Sequence, residues 1–397
     1  MSRLSEMIKK LCPNGVEYKR LGEVLKSIRT GLNPRQNFKL NEPKATNYYV
    51  TVKEISSGSL VFSEKTDRIT DEAVKIIQNR SNLECGDVLL SGIGTIGKVA
   101  IVEIPTDNFN CSESVYLLKP NSDFITTKYL GYVLETADVQ NQWAKTSVGS
   151  TLKGIRKETL VNILIPLPPL EIQCEIVQIL DNFANLTAEL TAELAKRKKQ
   201  YEHYRDMLLN FEGGGRYDKL PISVLCNISR GRVMSKQYLR EHVGKFPVFS
   251  SQTANGGVFG YIDSYDYDGE YLTWTTDGAN AGSVFYQNGK FSITNVCGLV
   301  KAKSNRINIK YAYYYLAKNA KQYVSSGMGN PKLMSNVMGN IKIPLPPLAE
   351  QKRIVAILDR FDALCNSLSE GLPAEIELRK KQYEYYRDKL LSFKEAG

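Results

Sequence analysis

Residues Ile163–Phe183 read ILIPLPPLEIQCEIVQILDNF, and residues Ile341–Phe361 read IKIPLPPLAEQKRIVAILDRF. At an offset of 178 the two stretches are identical at 14 of 21 positions. A second pair follows at an offset of 182: RKKQYEHYRDMLLNF (197–211) against RKKQYEYYRDKLLSF (379–393), identical at 12 of 15. Chance does not produce this. A repeat at such a period dictates the architecture before any local motif does. The chain is two copies of one plan, each a variable block followed by a repeated segment.

The repeated segment reads as a helix with a sharp start. Pro168-Pro169 and Pro346-Pro347 fix φ and donate no hydrogen bond, so they suit a first turn and forbid an interior. Beyond them Ile176, Ile179, Phe183, Leu186 and Leu190 recur at spacings of 3 and 4, as do Ile354, Ile357, Phe361, Leu364 and Leu368. Tyr201, Tyr204, Leu208 and Phe211 continue the first stripe; Tyr383, Tyr386, Leu390 and Phe393 continue the second. That is a coiled-coil seam with stutters between its halves. About 40 residues at ~1.5 Å each make a rod of roughly 60 Å. Such a rod cannot bury its seam alone, and its own copy is the expected mate, lying antiparallel about a pseudo-two-fold axis. Gly371-Leu372-Pro373 has no counterpart in the first copy and predicts a break, with Pro373 restarting the helix. Thr187-Ala-Glu-Leu190 is followed at once by Thr191-Ala-Glu-Leu194, a tandem unit in the middle of the first rod.

The variable blocks, about 14–162 and 216–340, speak a different language. VLLSGIGTIGKVAIV, SVYLLKP and EYLTWTTDGANAGSVFY are short β-branched runs punctuated by Gly, Asn, Asp and Thr, which read as strands and turns. Before each repeat comes a helix candidate, 128–143 and 310–324, and then a loop rich in Ser and Gly. The blocks align loosely: Gly31 with Gly231, Gly97 with Gly282, Lys128-Tyr129 with Lys310-Tyr311. The fold expected is α+β, with two mixed α/β domains (1–165 and 213–343) joined by two long helices (166–212 and 344–397).

Charge is distributed along the same divisions. The chain carries a net +10. Lys+Arg minus Asp+Glu is +4 over 1–165, −3 over 166–212, +9 over 213–343 and 0 over 344–397. Positive charge segregated into two blocks favours a nucleic acid as partner over simple solubility. Length predicts two to four domains. Met1–Val16 carries lysines but no apolar run of signal-peptide length, and no run of about 18 apolar residues suggests a membrane span. Seven cysteines scattered singly, without a CxxC pair, read as reduced thiols in a cytoplasm.

Catalytic chemistry is hard to assemble from these residues. Gly92-Ile-Gly-Thr-Ile-Gly97-Lys98 fits seven positions of a phosphate-binding loop, but Val99 stands where Ser or Thr should hold magnesium, and a strand follows where a helix must open. A glycine-rich hairpin turn is the ordinary reading. Of only two histidines, His203 sits where the other copy has Tyr385, on a helix surface, and no metal-ligand spacing occurs. No Asn or Asp precedes Pro-Pro-aromatic, the motif for methylating a flipped base. The expectation is a chain with no catalytic residues and no metal.

IPLPPLxxQ, the IVxILDxF helix and RKKQYExYRD, each present twice, resemble the specificity subunit of type I restriction–modification systems, over essentially the whole chain. FPVFSSQTANGGVFGY and YLTWTTDGANAG in the second block are similar to one recurring type of recognition domain in that family; the first block is more divergent. The resemblance implies a non-catalytic subunit with two target-recognition domains reading a split, asymmetric double-stranded DNA sequence. It implies two methyltransferase subunits, which would bring S-adenosylmethionine, and restriction–motor subunits, which would bring ATP, magnesium and cleavage. Other classes are a methyltransferase or nuclease with degenerate motifs, and a coiled-coil scaffold that binds protein only. Base readout needs polar side chains on loops that reach a groove. The candidates are Arg29, Arg35, Gln36, Thr95, Lys98, Ser150 and Lys153 in the first block. In the second they are Arg230, Arg232, Gln252, Thr275, Thr276, Asn280, Asn330 and Lys332.

Overall fold

The computed structural model describes residues 3–56, 58–146, 154–211, 217–325, 329–367 and 369–396. The chain divides into two compact units, residues 1–190 with 376–397 and residues 191–375. The first repeated segment is one unbroken helix of 40 residues, Leu170–Leu209. The carbonyl of Pro169 accepts from the N–H groups of Ile172 and Gln173 at 2.9 and 3.1 Å, so the proline pair sets the first turn. The second segment is two helices, Leu348–Asn366 and Gly371–Leu390. The break falls at the predicted Gly-Leu-Pro, with Gly371 at φ 78° and Pro373 in the first turn of the second piece, where its missing N–H costs nothing.

The residues repeated between the copies form the joint between each helix and its variable block. Gln173 is fully buried. Its Oε1 accepts the Thr126 N–H at 2.9 Å, and its Nε2 donates to the carbonyls of Phe124 and Pro168 at 2.8 and 2.9 Å. Gln351, also fully buried, does the same with Asn308 at 2.7 Å, Arg306 at 3.0 Å and Pro346 at 2.9 Å. Thr126 and Asn308 in turn cap the helices Thr127–Leu134 and Ile309–Asn319. About two turns along the long helix, Asp181 takes the ammonium of Lys128 at 2.8 Å and the Tyr132 hydroxyl. Asp359 takes Lys310 at 2.8 Å and Tyr314 at 2.6 Å. The hydroxyls of Tyr129 and Tyr311 close the joint on the carbonyls of Pro166 and Pro344.

This joint carries a stability prediction. Gln351→Ala would take the partner from the half-buried Asn308 N–H and Arg306 carbonyl and from the buried Pro346 carbonyl, at about 1–3 kcal/mol for the buried group and less for each of the others. A loss of about 3 kcal/mol is expected in urea unfolding read from the buried Trp274 in a Trp143→Phe background. A loss below about 1 kcal/mol would show that the joint is not what holds the helix to its domain.

Helical periodicity suggested a single seam, and the structure divides it into two faces. Ile172, Ile176 and Leu180 are fully buried against the core of their own unit, as are Ile354 and Leu358 in theirs. Phe183 instead stacks on Tyr386 at 5.4 Å in the first unit. In the second unit Phe361 stacks on Tyr204 at 5.5 Å. Leu186, assigned to the seam, is 37% exposed; Leu368 lies outside the described residues. Spacings of 3 and 4 mark an apolar stripe but not which neighbour it meets. Within the second unit Arg197 and Lys198 act electrostatically on the Cys365 thiol, while Tyr204 meets Phe361. Numbers rise on one helix as they fall on the other, so these two pieces are antiparallel.

The first unit holds a four-stranded antiparallel sheet in the order Leu25–Thr30, Val115–Pro120, Val88–Ser91, Val99–Ile101. Beside it lies a three-stranded sheet centred on Asn47–Val50. The second unit has six strands in the order Cys226–Arg230, Cys297–Ala302, Tyr267–Thr275, Val284–Ile293, Val243–Phe249, Val258–Ile262. Only Val243–Phe249 with Val284–Ile293 is parallel among those pairs. The helix expected over 128–143 is two, Thr127–Leu134 and Ala137–Thr146. The Thr136 hydroxyl bonds the Val133 carbonyl at 2.7 Å, offering the backbone an alternative to the continuing turn. The helix expected over 310–324 ends at Asn319 and passes into a 3-10 turn, Ala320–Tyr323.

Candidate nucleic-acid interface

In the second unit, five chain segments converge on one rim. Arg230 ends the first strand of the sheet order, and the following Gly231 N–H bonds the Cys297 carbonyl at 3.4 Å. The turn before Cys297 takes the Thr276 N–H on the Val296 carbonyl at 3.2 Å. Thr276 returns its own carbonyl to the Leu333 N–H at 3.0 Å, and Asp277 bridges to Lys332. The Thr294 N–H reaches the Phe249 carbonyl and its hydroxyl meets that of Ser250, each at 2.9 Å. So residues 230–232, 250–252, 275–282, 294–297 and 330–335 share one edge.

The rim sorts the candidates. Arg230, Asn280, Asn330 and Lys332 are exposed on it. Arg230 is steered by Ser335 Oγ and Met334 Sδ, each at 3.3 Å. Arg232 is exposed but engaged: its guanidinium pairs with Asp266 at 3.1 Å, bonds the Tyr238 hydroxyl at 3.2 Å and lies 5.1 Å from that ring. The Tyr238 bond and the Asp266 carboxylate hold its charge yet more firmly than usual. Gln252 is half-buried and donates to the Val258 carbonyl. Thr275 and Thr276 are buried, the Thr275 hydroxyl bonded to the Asn280 carbonyl, so they shape the loop that presents Asn280.

The first unit builds the same rim from different residues. The Leu32 N–H bonds the Cys111 carbonyl, Gly92 N–H that of Ser114, and Ile155 N–H that of Gly92. Ile93 bridges to Gly154 as Asp277 does to Lys332. The stretch resembling a phosphate loop closes an antiparallel hairpin between Val88–Ser91 and Val99–Ile101, with no helix after it. Thr95 is exposed at the hairpin tip. Lys98 turns its ammonium to the Val52 carbonyl at 3.1 Å, away from a free role at the tip. Arg29 is exposed and reaches the Arg80 carbonyl at 3.4 Å. Arg35 and Gln36 are exposed in a bend pinned by Phe38 against Tyr49, and among the described residues no bond ties them to the hairpin. Ser150 and Lys153 lie outside the described residues. His203 is exposed on the long helix, as expected.

Two details show how far the copies keep a plan while changing its parts. A Cβ on Gly31 would lie 1.7 Å from the Cys111 carbonyl oxygen, and one on Gly231 2.0 Å from that of Ile293. Only glycine lets the chain leave the strand at that place. A buried carbonyl is then satisfied from opposite sides. The Tyr116 hydroxyl bonds Ile155 at 2.7 Å, and Trp274 Nε1 bonds Leu333 at 3.0 Å. Tyr116 lies opposite Leu90, and Trp274 opposite Gly298, so the aromatic has changed strands. Gly92 and Gly298 leave the space: a Cβ would come within 2.4 Å of the Tyr116 ring and 2.1 Å of Trp274.

Sequence reasoning missed the apolar residues on this rim. Val233 is 78% exposed and Met334 42% in the second unit, and Ile93 is 40% exposed at the first unit's hairpin. A search confined to polar letters could not find them. Among the described residues no group of three His, Cys, Asp or Glu could hold a metal ion, and no helix is long and apolar enough to cross a membrane.

The sequence profile of the Type I restriction modification DNA specificity domain matches residues 13–197 and again 217–378. The chain belongs to this family. It is similar to a putative type I specificity subunit of Mycoplasma pneumoniae, 45% identical over 234 residues, which are 57% of this chain and 92% of the relative. It is also similar to the EcoR124I/EcoR124II specificity subunit of Escherichia coli, 34% identical over 284 residues, 63% of this chain and 69% of that one. Its fold matches the crystal structure of the type I restriction–modification S subunit from M. genitalium. There the TM-score is 0.55 at 17% identity, with 95% of this chain and 96% of that one covered. The specificity subunit is the non-catalytic, target-choosing member of a type I system.

Proposed function

We propose that each unit of this specificity subunit reads one half of a split, asymmetric DNA target, and that the long helices set the unread distance between the halves. The observation that carries this is the rim built twice on one backbone plan with different side chains. The rods lie antiparallel along their full length in this reading. Phe183 of the first copy meets Tyr386 of the second, and Tyr204 of the first meets Phe361 of the second. Such an exchange of equivalent partners supports an internal two-fold relation of the two copies. It offers two equal surfaces, one for each of two methyltransferase subunits that supply S-adenosylmethionine. Restriction–motor subunits would add ATP- and magnesium-dependent cleavage. Modules 1–165 and 213–343 read, and 166–212 and 344–397 space and assemble. All seven cysteines are free thiols, which suits a cytoplasmic complex.

Mapping methylated adenines in a genome with and without this gene tests the proposal. A two-part asymmetric site with a fixed gap is expected; a continuous or palindromic site would overturn it. Affinity of the assembled complex should also fall steeply with salt, since the recognition blocks carry +4 and +9 and must displace counterions from phosphates. With some six to ten phosphate contacts, the loss between about 50 and 200 mM salt is about 10³- to 10⁵-fold. A flat response would remove the electrostatic basis of the reading.

A further inference from the structure

The glycines that no other residue can replace, Gly31 and Gly231, open the same turn in both units. Two places on stand Asn33 in the first unit and Val233 in the second. We infer that this position reads a base in each half-site, and that Val233 recognises the C5-methyl group of a thymine. The inference rests on each unit being a half-site reader and goes on to say which chemistry one residue reads.

Val233 has no polar atom with which to earn a solvated place, yet it is 78% exposed. Both chain neighbours hold it there. Met234 is 6% exposed in a small core with Val248 and Ile262. Arg232 is clamped between Asp266 and Tyr238. A β-branched side chain is also stiff about χ1, so little freedom remains to be lost when a partner arrives. The result is a rigid apolar knob beside the exposed Arg230. In the major groove the thymine methyl is the one apolar feature of a base edge, while guanine offers acceptors to arginine. In the first unit the same position presents the Asn33 amide, aligned by Glu113 at 2.5 Å. An amide suits the donor and acceptor edge of adenine. One backbone position therefore offers two chemistries in two copies of one scaffold.

The test compares thymine with deoxyuridine, which differs by the methyl group alone. Once the target is mapped, each thymine of the half-site governed by residues 213–343 is replaced singly, and binding by the assembled complex is measured. One replacement should weaken the native complex about four- to fifteenfold, the effect of one or two methyl-sized apolar contacts. Val233→Ala should weaken binding to the thymine duplex by a similar factor and make the complex indifferent to that same replacement. Val233→Thr, which keeps one methyl, should retain part of the discrimination. Contacts to the other half-site give an internal control for folding. A native complex indifferent to every replacement overturns the inference, as does an alanine variant that still senses the methyl in full, or a half-site without thymine. A native complex that shows no preference for its mapped target would instead overturn the half-site reading itself.

Discussion

Replacing residues 213–343 with another recognition domain of this family is expected to change the second half of the methylated target completely and leave the first half untouched. Each mismatched base pair in a site costs about 1–3 kcal/mol, so a half-site altered at three positions should lose the old target by about a hundredfold or more. The structural reason is that, among the described residues, the bonds holding the second rim run within one unit. The graft meets the long helices through Gln351 on its cap residue, Asp359 on a lysine and a tyrosine, a tyrosine hydroxyl on the Pro344 carbonyl, the Lys318–Asp206 ion pair and the apolar face of Leu209, Ile354, Val355 and Leu358. A foreign domain carrying those groups should seat at the same angle. Methylation mapping decides it. If both halves of the target changed together, the two rims would not be independent readers.

The second large effect is on spacing. Adding a third Thr-Ala-Glu-Leu unit after Leu194 should widen the unread gap by one or two base pairs, with both half-sites unchanged and the original target no longer methylated. The tandem unit lies inside the unbroken helix Leu170–Leu209, and the division between the two compact units falls between its copies, at Leu190 and Thr191. Four residues turn a helix by about 400° and lengthen it by about 6 Å, so each face is nearly preserved while its place along the axis shifts. Base pairs rise by about 3.4 Å, and a tilted helix projects less than its full length onto the DNA. Mapping should be done for the three-unit variant and for a one-unit variant, which should narrow the gap. Full activity on an unchanged target would show that the helix does not measure the DNA.

The repeat made the architecture legible. Identity over two segments fixes two copies, the proline pairs fix where the helices start, and Gly371-Leu372-Pro373 fixes where the second one breaks. The pairing of Lys128-Tyr129 with Lys310-Tyr311 was also visible, but not its cause, because Asp181 and Asp359 lie about fifty residues away and carry no local signal. The rim was only partly legible. Thr275 and Thr276 have the right atoms for base contact but are turned inward where the strand ends. Lys98 is drawn to a carbonyl 46 residues away. Val233 has no polar atom in its side chain and is the most exposed of the large apolar side chains among the described residues. Polarity says what a side chain could do, whereas exposure is settled by the course of a backbone that only the folded chain defines.

The aromatic that changes strands has a hereditary consequence. A crossover within a variable block that joined a Tyr116-type strand to a Trp274-type strand would force two rings into one space. The reverse hybrid would leave a void and a buried carbonyl without a donor. Crossovers inside a block should therefore be purged, whereas those in the repeated segments around 163–183 and 341–361 leave each block intact. The segments that fasten the domains to the rods are thus the natural cut points of the gene, and new targets should arise in its descendants by the trade of whole blocks.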